Sequence, residues 1–356
     1  MKKVKLSNQE VKGTSDWLPA EFSVRHYIFE TWRRVCSSYG FQEYLTPLVE
    51  SAEIYRVKSG EDVGGKELVT FTDLGGRELC IRPEMTPSVT RLVSKIYASS
   101  PKPIKLFSIA NFMRNEKPQR GRNREFWQLN CDIFGSASLA ADLEILQLSL
   151  DIMKAFGAPE NSFTLRLNSR RLLDNFLPIF GLDLKNKSIV FRILDKYGKL
   201  SQDEFIRRLV AVGAKEQSAK SLEAFMAGTE KKLFLKALAE NSDLRAAKQE
   251  IDFVLKQLQN LGYNQAQFDP TLIRGFDYYD GLVFEVFDNH PDNRRALFGG
   301  GRYNGLAELF GTESFPAVGV APGDETTRLF LESWNLLPVI PDERYYLPLL
   351  SADLLS

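Results

Sequence analysis

The sequence predicts an α+β fold, an antiparallel sheet flanked by helices and interrupted by a helical insertion. Three observations predict it. Two strand-like runs, residues 105–112 and 126–134, are joined by a short basic loop, as consecutive antiparallel strands often are. Two apolar-periodic helices, residues 19–39 and 138–156, bracket that pair. A charged helical tract then separates these elements from a second group of strands that starts near residue 272.

In chain order, Val24, Ile28, Trp32, Val35 and Tyr39 recur at helical steps and are followed by Gly40, which predicts an amphipathic helix with a glycine stop. Residues 41–48 read as an extended segment whose Pro47 must sit at an edge or bulge. Residues 68–73 and 77–81 flank Gly75-Gly76 and predict a hairpin. The helix over 138–156 is closed by Gly157 and Pro159. From 187 to 244 the pattern is helical and charged, with a capping box at Ser201–Glu204 ahead of Phe205, Ile206 and Leu209. Strands resume over 272–287, a glycine cluster follows at 298–305, and a helix is expected over 326–334. Residues 336–341 read as a linker, and 345–350 as the first strand of a further unit. The expected division is a first core part over 1–186, a helical insertion over 187–250, a second core part over 251–337 and a linker with the start of another unit over 338–356.

A chain of 356 residues with 44% apolar content can bury a sizeable core. Lys plus Arg equal Asp plus Glu at 46 each, so any nucleic-acid contact must come from a local basic patch. Three scattered cysteines argue against a disulfide framework and for a reducing, cytosolic compartment. Only His26 and His290 exist, which disfavours a Cys/His zinc site and a Ser-His-Asp triad. No run reaches the length of a membrane span, and the first residues lack a signal-peptide core.

The most informative segment is 126–134. Strand periodicity puts Trp127, Leu129, Cys131 and Ile133 on one face and Gln128, Asn130 and Asp132 on the other. Such a polar row can simply face water. Here the preceding strand carries the small residues Ser108 and Ala110, leaving room above the sheet, with Arg114 in the same parity. The joining loop holds five cations between Arg114 and Arg124, which suits phosphate. Glu84 and Thr86 share parity after the hairpin, so a carboxylate and a hydroxyl would point together at an ammonium group, a surface salt bridge being the alternative. Residues 272–279 combine Arg274 and Gly275 with Tyr278-Tyr279, and the cluster at 298–305 would let backbone approach a ligand closely. That cluster is no P-loop, because no Gly-Lys-Ser/Thr follows, and it opens no dinucleotide unit.

These motifs, in this order, resemble the histidyl-tRNA synthetases from Val11 to about Trp334. Pro47 stands where the family's dimer-forming first class II motif has its proline. The run from Phe112 to Gly135 resembles the second motif, 274–279 resembles the histidine-specific Arg-Gly-Leu-Asp-Tyr-Tyr signature with Phe276 for the leucine, and 299–306 resembles the second histidine-specific motif. The resemblance implies a class II aminoacyl-tRNA synthetase-like fold, a homodimer, and activation of histidine with ATP and Mg²⁺ followed by transfer to tRNA(His). Glu84 and Thr86, with Gln128, would hold the histidine α-amino group. Asp132 would accept from the imidazole, and Tyr278, Tyr279 and Tyr303 would line its pocket. Arg114 would bind the α-phosphate, Glu116 the adenine, and Arg122 the triphosphate. Arg274 would stabilise charge at the α-phosphorus, while Lys117 and Gln119 would meet the tRNA acceptor end. The helical insertion would clasp the acceptor stem, and the unit begun at 345–350 would be an anticodon-binding domain cut short.

One departure stands out. The family's third motif reads Gly-x-Glu-Arg, its arginine on the γ-phosphate, whereas here Thr326 takes the arginine's place and Arg328 follows two residues later. Two helical residues turn a side chain by about 200°, so Arg328, still an ATP-binding candidate, would point elsewhere. That departure and the short chain favour a rival: the family's non-catalytic, histidine-sensing regulator of ATP phosphoribosyltransferase. The intact 274–279 signature and the basic loop favour the synthetase. Tyr278-Tyr279 and Asp132 disfavour a third reading, another class II specificity.

Overall fold

The computed structural model describes residues 7–57, 59, 62–182, 187–293 and 295–339. The strand expected over 345–350 lies outside them, as does nearly all of the segment over 338–356.

Helix α1 (Pro19–Ser38) starts with proline at its first position, where a missing N–H costs nothing, and ends at Tyr39 and Gly40, the latter at φ 77°. It buries Ile28, Trp32, Val35 and Cys36. The extended segment expected over 41–48 is divided: β1 (Gln42–Glu43) joins the main sheet, and β2 (Val49–Ser51) joins a separate small one. Pro47 lies between them in neither ladder, as its missing N–H requires. The small sheet has the order β2-β4-β3, with β3 (Val69–Thr72) and β4 (Glu78–Ile81) forming the expected hairpin. Beside it lie α2 (Glu53–Arg56), a π-helical turn (Asp62–Lys66) and α3 (Thr86–Ile96).

β5 (Ile104–Met113) and β6 (Glu125–Phe134) pair antiparallel along their whole length, from Ile104 opposite Phe134 to Met113 opposite Glu125. α4 (Leu139–Ala155) is capped by the Ser138 side chain, which accepts from the Ala140 N–H. β7 (Phe163–Ser169) follows, then α5 (Arg170–Phe176), α6 (Lys187–Asp195), α7 (Gln202–Ala211), α8 (Glu216–Met226), α9 (Lys232–Glu240) and α10 (Ser242–Asn260). The Ser201 cap holds as expected, its hydroxyl accepting from the Glu204 N–H. The chain ends in β8 (Ala266–Phe268), β9 (Leu282–Asp288), β10 (Ala296–Arg302), β11 (Ala317–Val320) and α11 (Asp324–Ser333).

The main sheet has the order β1-β5-β6-β11-β10-β9-β7-β8. Its interior pairs are antiparallel, as expected, but both edge pairs, β1 with β5 and β7 with β8, are parallel. Parallel neighbours need a long crossover, and the chain supplies two. One is the small sheet with α3, and the other is the run of helices from α5 to α10. The helical tract is thus the connection between two edge strands. α10 continues through residue 250, where a division was expected, and packs on α5, α4 and β8. The phenylalanines of that tract, Phe176, Phe225 and Phe234, pack tilted or edge-on against one another and reach Phe268 of β8, extending the main core.

Four strands were not anticipated, β7, β8, β10 and β11, and the extended structure expected over 272–287 is confined to β9. Residues 271–281 are irregular. Among the described residues no helix is long and apolar enough to cross a membrane.

Candidate active site

The polar row of β6 does not face water. Leu129, Cys131 and Ile133 point into the core made with α1 and α4, while Gln128, Asn130 and Asp132 line a cavity of about 390 Å³ on the opposite face. Ser108 and Ala110 stand directly across from Asn130 and Gln128, both buried, so the neighbouring strand leaves the row unobstructed.

Asp132 ends one side of this cavity. Its Oδ1 accepts from the Tyr303 hydroxyl at 2.5 Å, and burial pushes its carboxyl up to about 7 against the opposing pull of that bond. Tyr303 packs edge-on to Tyr278, which is tilted against Tyr279, giving an aromatic wall. Tyr278 donates to Glu84 Oε2 at 2.8 Å. Glu84 is buried, burial raises its pKa, and its Oε1 has no hydrogen-bond partner among the described residues. A buried carboxylate with a spare acceptor is suited to an ammonium group. Thr86 lines the same cavity, though not by strand parity: it is the first residue of α3, beyond the end of β4.

The same cavity is lined by arginines, with Arg274 5.6 Å from the Tyr279 ring. Arg114 donates to the Pro83 carbonyl at 3.0 Å and lies over the Phe126 ring, and Arg274 donates to Glu285 at 2.9 Å. Glu116 and Arg122 also line the cavity, held 3.8 Å apart. The loop turns tightly at Gln119 and Arg122, which exchange backbone hydrogen bonds, leaving Lys117 and Gln119 exposed outside the cavity.

Gly299 of the glycine cluster lines the cavity, and it and Gly319 also let side chains approach the backbone closely. A Cβ on Gly299 would sit 2.0 Å from an Arg274 nitrogen, and one on Gly319 would sit 1.9 Å from Asp132 Oδ1. Both positions need the space that only glycine leaves.

Arg328 is not among the residues lining the cavity. It pairs along α11 with Glu325 at 2.9 Å and Glu332 at 3.2 Å. Thr326 does line it, donating to the Leu297 carbonyl at 2.8 Å, so the two side chains diverge as the helical turn requires. Next to it Asp324 forms a buried pair with Arg25, which stacks on Trp17, and accepts from the Trp127 N–H at 3.1 Å.

Sequence reasoning passed over several lining residues. Asn130 was placed on the polar face of β6 but given no role, whereas Glu285, the one carboxylate inside the apolar run of β9 before its last residue, carried a readable signal that was missed. Arg192, Asp195, Lys196 and Lys199, from α6 and the turn after it, also line the cavity. Nothing local marks them, because the tract as a whole is charged.

The Asp132 titration gives a test independent of any ligand. An unfolded aspartate titrates near about 4, so between that pH and about 7 the folded chain holds a proton that the unfolded chain has lost. The associated stability is full below the unfolded value and is lost as pH rises through the folded one. Ligand-free Asp132→Asn is therefore expected to melt above the parent at pH 8, with the gap closing towards pH 5. A gap that does not vary with pH would contradict the burial argument.

Comparison with known proteins is consistent with this geometry. Solved structures share the fold: a histidyl-tRNA synthetase from Nostoc superposes with TM-score 0.76 at 22% identity, covering 95% of this chain and 78% of that one. A protein from Bacillus halodurans described as an ATP phosphoribosyltransferase regulatory subunit/histidyl-tRNA synthetase gives TM-score 0.75 at 21% identity, covering 93% and 84%. In sequence, the chain is 42% identical over 355 residues to the histidine–tRNA ligase of Leptospira biflexa, covering 98% of this chain and 80% of the relative. It is 38% identical over 335 residues to that of Pyrococcus abyssi, covering 93% and 77%. The family profile described as histidyl-tRNA synthetase matches residues 13–323, the greater part of the chain. The chain belongs to the histidyl-tRNA synthetase family.

Proposed function

We propose that this protein is a histidine–tRNA ligase, activating histidine with ATP and transferring it to tRNA(His). The observation that carries the reading is one cavity whose lining brings Asp132 and the three tyrosines together with Arg114 and Arg274. Glu84, Thr86 and Gln128 hold the histidine ammonium, Asp132 accepts from the imidazole, and Tyr278, Tyr279 and Tyr303 enclose the ring. The substrate carboxylate then faces the α-phosphorus. Arg114 and Arg274 meet the charge that develops there, and Glu116 and Arg122 hold the rest of the nucleotide. No protein nucleophile is required, so acceleration comes from positioning and preorganised charge.

Among the described residues no group of three His, Cys, Asp or Glu side chains is placed to hold a metal ion. Mg²⁺ is proposed to arrive with ATP, held mainly by its phosphates. Lys117 and Gln119, exposed on the tight loop, are proposed to contact the tRNA acceptor end. A homodimer is supported by Leu45, Leu48, Val49 and Phe71, apolar side chains left exposed on and beside the small sheet. The buried free thiols of Cys36, Cys80 and Cys131 suit a cytosolic location.

One observation favours the regulatory alternative, the withdrawal of Arg328 from the cavity. The named ligases matched over most of the chain weigh against it. Histidine-dependent exchange of pyrophosphate into ATP separates the two. The synthetase reading requires exchange with histidine and none with other amino acids. Histidine binding without exchange would reject that reading and leave the regulator.

A further inference from the structure

Arg170 is a buried cation that the chemistry above does not use. It opens α5, burial lowers its guanidinium pKa to about 10, and only 2% of its surface is exposed. Long charged side chains are rarely buried without a task. One face lies 4.0 Å from the Phe191 ring of α6. Its NH2 group donates to the carbonyl oxygens of Arg274 and Phe276, the second at 3.3 Å. Those carbonyls belong to the irregular run 271–281, which has no ladder or helix to fix it. Nearby, Asn168 donates to the Pro270 and Leu272 carbonyls at 3.1 and 3.0 Å.

α6 meets the same run at two further points. The Asp195 carboxylate covers Gly275 closely enough that a Cβ there would lie 3.1 Å away, and Arg192 pairs with Asp277 at 3.6 Å. Lys196, just after α6, pairs with Asp62 at 3.0 Å across the cavity mouth.

We infer that Arg170 is a positioning residue for Arg274, through which helix α6 of the helical tract sets the geometry of the reacting end of the cavity. The run 271–281 is held from below by Asn168 and Arg170 and from above by α6, with Phe191 keeping the Arg170 fork against the two carbonyls. The guanidinium of Arg274 then projects over Gly299 onto Glu285 from a fixed backbone. Displacing that backbone by about an ångström is enough to lower a rate about a hundredfold. The inference rests on the adenylation reading for its kinetic test and on geometry alone for its structural one.

Arg170→Lys keeps the charge and loses the fork. It is expected to lower the turnover of histidine-dependent pyrophosphate exchange by about 10- to 100-fold, with the KM for histidine changed by no more than about twofold. The milder Phe191→Leu, made in case Arg170→Lys fails to fold, is expected to lower turnover by about three- to tenfold with the same unchanged KM. In an Arg274→Ala background, neither substitution should lower turnover further by more than about twofold, because a residue acting through Arg274 has nothing left to position. An equal additional loss in that background would overturn the inference, as would unchanged turnover in both single variants. Hydrogen exchange of the amides over 271–281 gives a readout without activity, expected to speed up by about tenfold in Arg170→Lys. Exchange as slow as in the parent would overturn the inference even if the parent showed no pyrophosphate exchange, an outcome that by itself rejects only the adenylation reading.

Discussion

Replacing Arg274 by alanine is expected to lower the turnover of histidine-dependent pyrophosphate exchange by about a hundred- to a thousandfold, while histidine affinity changes by less than about threefold. The split follows from where Arg274 sits. Its guanidinium lies over Gly299 and bonds Glu285 at 2.9 Å; it makes no hydrogen bond to Glu84 or Asp132, and it meets the proposed imidazole pocket only at the Tyr279 ring, 5.6 Å away. Its proposed work is on charge that exists only as the α-phosphorus reacts, so substrate binding should hardly register its loss. The alanine variant also leaves the partly buried Glu285 without its partner, an anion beside the incoming phosphates, which places the effect towards the upper end of the range. Arg274→Lys should recover part of the loss. Exchange kinetics together with calorimetric titration of histidine decide the matter. A large loss of histidine affinity with little change in turnover would mean that Arg274 binds the amino acid.

The second large effect is expected at Asp132. Gly319→Ala puts a methyl group where the Asp132 carboxylate now lies, 1.9 Å from its Oδ1 and 3.1 Å from the Cys131 carbonyl. Asp132 must swing away, and a charge-assisted hydrogen bond to the imidazole is lost, worth about 10- to 150-fold in histidine affinity. ATP affinity should be unaffected, because the nucleotide end shares neither residue. Asp132→Asn, which keeps the shape and an acceptor for Tyr303, should weaken histidine in the same direction but less. Titration of histidine and ATP into each folded variant checks this. Unchanged histidine affinity in both would remove Asp132 from the amino-acid site.

These residues also show how far the sequence could be read. β6 was legible because one strand carried a clean period of two, with apolar residues facing the core and Gln128, Asn130 and Asp132 facing the cavity. The cationic loop was legible from density alone. The run 271–281 misled because tyrosines and apolar residues imitate a strand. Its conformation comes from Asn168, Arg170 and α6, which lie about a hundred residues away or nearly so in sequence, and no local pattern carries that information. The glycine cluster was legible as a place where space is needed, but composition did not reveal that the Arg274 side chain fills part of it at Gly299. β8, three residues long, owes its state to pairing with β7. β7 itself alternates Phe163, Leu165 and Leu167 inward and was within reach of the same argument that found β6. The turn of two helical residues between Thr326 and Arg328 was calculable in advance, and the diverging side chains follow it.

The central claim is that one continuous cavity holds histidine at Asp132 and the reacting phosphorus between Arg114 and Arg274. The most direct measurement is a crystal structure of the protein with the non-hydrolysable adenylate mimic histidyl-sulfamoyl-adenosine. The predicted result is an imidazole nitrogen within hydrogen-bond distance of Asp132, the ammonium on Glu84, and the sulfamoyl group between the guanidinium groups of Arg114 and Arg274. A bound mimic whose imidazole lies away from Asp132, or whose sulfamoyl group meets neither arginine, would contradict it.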